Sequence, residues 1–132
     1  MGGVPEGILS SAERAILGNL LSEILPSSSG AGAREAGATE YVIRRLGGPD
    51  SGWVAVLRKE LVEAAGREAA HVARLAAATD EDRAAFFGRL RSWAWEGLLC
   101  DPAHGGNLNE VGWRRFGFPG PPKRRGYRRE QR

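Results

Sequence analysis

Ser10-Ser11-Ala12-Glu13-Arg14-Ala15-Ile16-Leu17-Gly18-Asn19-Leu20-Leu21-Ser22-Glu23-Ile24-Leu25-Pro26 holds one helix with both of its ends. Ser10 and Glu13 make a capping box, in which each side chain satisfies the other's backbone N–H. Ile16, Leu17, Leu20, Leu21 and Ile24 recur at three- and four-residue steps and share one face. Pro26 stops the run. The stretch predicts an amphipathic helix over residues 11–25, and such a face must be buried against others.

The same pattern repeats outward. After a small polar loop over residues 27–32, Tyr41, Val42 and Leu46 predict a second helix over residues 33–46, weakened at Gly37 and ended by Gly47-Gly48-Pro49. Gly30 and Gly32 suggest a nucleotide loop, but no strand precedes them and the third small position falls on Glu35, so that reading fails. A third helix is predicted from Asp50 or Ser51 to Ala78, with Trp53, Leu57, Leu61, Ala65, Val72 and Leu75 as its stripe and a bend or a split allowed at Gly66. Thr79 and Asp82 predict an N-cap for a fourth, which buries Phe86, Phe87, Leu90, Trp93, Ala94 and Leu98 and ends near Leu99. Trp95 projects almost opposite that face, as surface cover or as an anchor for another protein. No run alternates with period two. The fold class is all-α: four helices followed by an irregular, glycine- and aromatic-rich C-terminal segment.

Composition narrows the function. The chain of 132 residues suffices for one modest core. No apolar run approaches the ~18–20 residues of a membrane span. One cysteine and two histidines make an autonomous zinc or haem module a poor expectation, and the reading assigns no metal, no catalytic residue and no cofactor to this chain. Residues 1–6 lack the features of a secretory leader, so the expectation is a cytoplasmic protein, or an exported one if a leader has been trimmed. Of the 19 basic residues, six lie in residues 121–132 beside a single acid, which leaves the first 120 residues slightly acidic. The organisation expected is a helical domain over residues 1–120, with its docking segment at 101–120, and a basic flexible tail at 121–132.

From Asp101 the chain reads Asp101-Pro102-Ala103-His104-Gly105-Gly106-Asn107, then Gly112-Trp113, then Gly117-Phe118-Pro119-Gly120. Asp101-Pro102 ends a helix, and Gly105-Gly106-Asn107 permits tight turns and close backbone approach. Such a segment has no core of its own and must wrap over the helices or over a partner. The pattern resembles the gluconate 2-dehydrogenase subunit 3 family, the small subunit of bacterial FAD-dependent sugar and polyol dehydrogenases. Looser similarity extends upstream to the opening of the first helix, to Gly32-Ala33-Arg34-Glu35-Ala36-Gly37 and to Glu96-Gly97-Leu98-Leu99-Cys100. The resemblance implies a non-catalytic helical subunit that binds and stabilises a large flavoprotein of the glucose-methanol-choline type. That partner holds the FAD and oxidises a sugar, glycoside or sugar acid; in many such systems a cytochrome c takes the electrons onward. It also implies that Asp101, Pro102, His104, Gly105, Gly106, Asn107, Gly112, Trp113, Gly117, Phe118, Pro119 and Gly120 form a docking segment, to which Trp95 is added as an exposed anchor. The chain departs from the family in showing no twin-arginine signal at its start.

Three other readings compete. Glu68 and His71, three apart, are either an acid–base pair or a satisfied polar pair at a packing surface; the second is preferred because no nucleophile accompanies them. Cys100 and His104 offer a nucleophile and a base, but no third group orients them. Lys123, Arg124, Arg125, Arg128 and Arg129 around Tyr127 resemble a nucleic-acid arm, the alternative function, although no nucleic-acid fold accompanies them.

Overall fold

Ser10 accepts the Glu13 N–H at 3.1 Å and Glu13 accepts the Ser10 N–H at 2.8 Å, so the capping box forms and starts helix α1, Ser11–Ile24. The computed structural model describes residues 7–28 and 30–120; the basic tail expected at 121–132 lies outside the described residues. Leu17, Leu20 and Leu21 are fully buried, and α1 packs against five of the helices that follow. Each such side chain contributes about 1.5–3 kcal/mol of burial.

Among the described residues there are seven α-helices and no strand: α1, α2 (Ala33–Ala36), α3 (Ala38–Leu46), α4 (Val54–Ala64), α5 (Glu68–Ala76), α6 (Glu81–Leu99) and α7 (Val111–Arg115). The class is all-α as expected, and the count of four is corrected upward at three places. The expected second helix is two, because Gly37 takes φ of 70°. There it closes α2, its N–H bonding back to the Ala33 and Arg34 carbonyls, and its own carbonyl starts α3. A left-handed residue ends an α-helix, and glycine adopts that conformation at least cost. The expected third helix is also two. A 3-10 turn at Ser51–Trp53 leads into α4, and the chain turns at Ala65-Gly66-Arg67 before α5. Ala65 consequently leaves the buried stripe and Ala64 takes its place. The third addition, α7, lies in the segment expected to be irregular. The cap of α6 is Asp80 rather than Thr79, its carboxylate accepting the Arg83 N–H at 2.9 Å.

α6 is the spine of the fold. At 19 residues it runs for about 28 Å. Phe86, Leu90, Trp93, Ala94 and Leu98 line its buried side. The Trp93 indole N–H donates to Asp50 Oδ2 at 2.8 Å, and Arg45 Nε donates to the same oxygen at 3.0 Å. Burial opposes the Asp50 charge, yet these two donors hold its carboxyl below the usual carboxylate range. Tyr41 donates to Glu96 at 2.9 Å, and burial first and that bond second push its phenol up to about 12. The 3-10 turn is joined to this core by Trp53, which meets Phe86 and Trp93 with ring centroids 6.3 and 6.4 Å apart.

Candidate functional site

The C-terminal segment folds back along the end of α6. Cys100 leaves the helix in an extended conformation, and Pro102–His104 forms a 3-10 turn capped by Asp101, whose Oδ1 accepts the Ala103 N–H at 2.9 Å. Asn107, fully buried with φ of 45°, then ties three pieces of backbone together. Its N–H donates to the Gly97 carbonyl at 2.6 Å, and its Nδ2 donates to the Cys100 carbonyl at 2.7 Å. Its Oδ1 accepts the Gly112 N–H at 2.8 Å and the Trp113 N–H at 3.4 Å. One asparagine thus satisfies acceptors left open at the C-terminus of α6 and donors left open at the N-terminus of α7.

Two glycines let that happen. A Cβ on Gly106 would sit 2.4 Å from the Gly97 carbonyl oxygen, and one on Gly112 would sit 1.8 Å from that of Leu98. Backbone meets backbone here with no side chain between. Trp113 covers the joint: it is 8% exposed, its indole donates to the Leu99 carbonyl at 2.7 Å, and Gly120 lies against its ring. Arg115 Nη1 bonds the Ala31 carbonyl at 2.8 Å and ties α7 to the loop before α2.

The outer face is different. Trp95, Leu99, Trp113, Phe116 and Phe118 line an apolar groove of about 330 Å³. Trp95, Phe116 and Phe118 are 40%, 52% and 48% exposed. Trp95 stacks obliquely on Phe116 with centroids 6.1 Å apart, and Trp113 meets Phe118 edge-on at 5.4 Å. The Arg115 guanidinium lies 5.1 Å from the Phe116 centroid.

The residues expected to dock a partner therefore divide. Gly105, Gly106, Asn107, Gly112, Trp113 and Gly120 are buried within the chain, Pro102 is half-buried, and Trp95, Asp101, His104, Gly117, Phe118 and Pro119 are exposed. Trp95, Trp113 and Phe118 come together in the groove; His104 is not among its lining residues. Leu99 and Phe116 also line the groove and were not among the expected site residues. Phe116 could have been found as the remaining aromatic in the glycine-punctuated run, and Leu99 as the neighbour of Trp95 on the outward face of α6.

Two acid–base readings change. Glu68 does not meet His71, because the turn at Gly66 starts α5 at Glu68 and faces it toward α1, where it accepts from Asn19 at 3.4 Å. His71 instead bonds Glu60 of α4, with Nε2 2.7 Å from Oε1. For Cys100, burial pushes the thiol up, away from the thiolate a nucleophile needs. His104 is exposed on its turn, which is held by its backbone N–H donating to the Asp101 carbonyl at 2.8 Å. The groove offers an apolar clamp for a side chain rather than a site for proton transfer.

The chain is thus a helical body sealed by a glycine-seated wrap, with aromatic rings left open on its outside. The family model described as gluconate 2-dehydrogenase subunit 3 matches residues 54–120, half of the chain, and the chain belongs to that family. Membership makes it an accessory subunit of a dehydrogenase complex, with a separate catalytic subunit as its partner. No curated protein and no solved structure matches it significantly. No helix among the described residues is long and apolar enough to cross a membrane.

Proposed function

We propose that this chain is the non-catalytic small subunit of a FAD-dependent oxidoreductase of the glucose-methanol-choline type, acting on a sugar, glycoside or sugar acid. The flavin belongs to the large subunit, a cytochrome c serves as onward acceptor in complexes that include one, and this chain keeps the flavoprotein assembled. The observation that supports the reading is the groove of Trp95, Leu99, Trp113, Phe116 and Phe118, which lies wholly within the matched region. Aromatic side chains in a desolvated contact dominate interface energies, and a monomer gains nothing by leaving three of them half in water.

The test is coexpression with a large flavoprotein of that type whose gene neighbours this one, with the small subunit tagged. A yellow complex at fixed stoichiometry is expected. The double variant Trp95→Asp, Phe118→Asp should lose the flavoprotein while keeping its helical circular dichroism. A chain that binds no flavoprotein, or a double variant that still copurifies like the parent, overturns the proposal.

A further inference from the structure

A second cluster lies near the opposite end of α6 from the groove. Glu60 and Glu63 stand one turn apart on α4, and His71 returns on α5 after the turn at Gly66. One ligand-type atom from each of the three lies within 4.8 Å of the other two. Glu60 is 5% exposed and His71 is not exposed at all. A carboxylate and an imidazole at that depth are costly unless their polar atoms are used. Here they are used in part: His71 Nε2 meets Glu60 Oε1 at 2.7 Å, while the buried Nδ1 has no hydrogen-bond partner. Glu63 accepts from Arg83 Nη2 at 2.7 Å, and both of these side chains are partly exposed. Glu60 also forms part of the wall of a pocket of about 340 Å³, with Trp53, Lys59, Asp80, Asp82 and Arg83.

We propose that Glu60, Glu63 and His71 form a binding site for a divalent transition-metal cation of the zinc class. One imidazole and two carboxylates are a borderline donor set, which suits zinc better than calcium or magnesium, whose sites are built of oxygen. Bonds of about 2.0–2.2 Å to a tetrahedral ion place its ligand atoms about 3.3 Å apart. The His71–Glu60 contact opens slightly and Glu63 closes in, both within the reach of side-chain rotation. The ion then lies between Nε2 and the Glu60 carboxylate, bound to the neutral imidazole, whose one proton is carried on Nδ1. The guanidinium of Arg83 now holds part of the charge-balancing role at Glu63; on metal binding it turns to the exposed Asp80 and Asp82. The pocket has room for water as the fourth ligand, and the same two aspartates attract a cation to its mouth.

The test is calorimetric titration of the full chain with Zn²⁺ and with Mg²⁺ after treatment with a chelator, repeated with Co²⁺ for its visible absorption. Saturable binding of one zinc per chain, no uptake of magnesium, and tetrahedral cobalt bands are expected. Glu63→Gln should weaken zinc at least tenfold with its melting temperature in chelator unchanged. Arg83→Gln should bind zinc more tightly than the parent, because a competing cation has gone; a purely structural ion pair predicts no such gain. The second imidazole of the chain is the exposed His104, and His104→Ala should leave the titration unchanged. His71→Gln removes a buried side chain and can cost the fold, so the Glu63 and Arg83 variants decide the outcome. No saturable zinc uptake, or uptake equal in the parent and in Glu63→Gln, overturns the proposal.

Discussion

Residues 101–120 meet α6 backbone to backbone on one side and present open aromatic rings on the other. On the inner side Gly106 and Gly112 sit against the Gly97 and Leu98 carbonyls, and Asn107 is bonded at both polar atoms of its side chain. Beside Phe116 and Phe118 on the outer side stand Trp95 and Leu99, all more than a third exposed. The inner contact tolerates no added atom, whereas the outer one leaves a groove of about 330 Å³. A run that reads as a single motif thus contains two kinds of residue: those that fasten the chain to itself and those that, on the proposed function, are left for a second chain. Substitutions should separate the two by their readout, stability for the first and assembly for the second.

The largest effect should come from the inner side. Gly112→Ala places a methyl group 1.8 Å from the Leu98 carbonyl oxygen, which is backbone and cannot step aside. The wrap must lift, and we expect a loss of about 3 kcal/mol or more in urea unfolding, at the upper end for overpacking. Asn107→Ala should follow at about 2–3 kcal/mol, since it strands the Cys100 carbonyl and the Gly112 N–H in a buried place. If Gly112→Ala melted like the parent, the close backbone contact would not exist and the division into two faces would collapse.

The outer side should respond in the opposite way. Trp95→Ala and Phe118→Ala should each weaken the complex by about 2 kcal/mol and change the stability of the isolated chain far less. Trp113→Ala should do both, because this ring belongs to the buried joint and to the groove wall. His104→Ala should assemble normally, and its turnover per bound flavin should stay within about tenfold of the parent. A loss of ~10³-fold would put this histidine in the active site of the complex. The measurements are copurified flavin per small subunit, thermal melting, and sugar oxidation with an artificial acceptor.

How much of this was legible in the sequence follows from the range of the interactions. α1 was readable because its cap, its stripe and its stop are all local to Ser10, Glu13, the leucines and Pro26. The breaks were readable only as options, a bend or a split at Gly66 and a weakening at Gly37, because a glycine in a helical pattern looks alike whether it bends the helix or ends it. At Gly37 the deciding fact is positive φ beside Leu108, whose side chain would lie 2.7 Å from an added Cβ. That neighbour arrives from 71 residues further along the chain. The pairing of His71 with Glu60 was missed for the same reason: the expected continuous helix put Glu68 beside the imidazole, and the turn swung it away. Trp95 was legible as outward-facing, since its angle on α6 is local. That Phe116 would cover it, and that Asn107 would be buried rather than offered to a partner, depends on the path of the wrap and lay beyond any spacing rule.

Body and wrap should also part under acid. The core around α3 and α6 leans on a carboxylate, with Asp50 accepting from Trp93 and Arg45, whereas the wrap is joined to the body by amide, indole, guanidinium and backbone groups, none of which titrates in mild acid. Burial works against the Asp50 charge, but its donors outweigh burial and lower its pKa in the folded state. The stability from this group is therefore complete above its unfolded value of ~3.9 and is lost as pH falls through the lower folded value. Asp50→Asn should cost about 1.5 kcal/mol at neutral pH and flatten the decline of melting temperature below about pH 4. Asn107→Ala should lower the whole curve without changing its slope. A slope unaltered in Asp50→Asn would place the acid sensitivity elsewhere.

The smallest effect should come from removing residues 121–132. They follow Gly120, the last described residue, which lies against the Trp113 ring, and they carry six basic residues around Tyr127. If the fold is complete at Gly120, truncation there should change stability by less than about 0.5 kcal/mol, as surface changes do. The same truncation tests the nucleic-acid reading. Six basic side chains that neutralise phosphates displace the condensed counterions and predict a slope of log K against log salt of about −5, so the full chain should bind short DNA at low salt and release it at physiological salt without sequence preference. The truncated chain should show neither the binding nor the slope, and its complex with the flavoprotein should form as before. Fluorescence anisotropy with a labelled duplex and with an unrelated competitor reads the binding, the slope and the preference at once. Retention of tight, sequence-selective binding at physiological salt would make the tail an interface in its own right. The groove of Trp95 and Phe118 would then be the second binding surface of the molecule rather than its first.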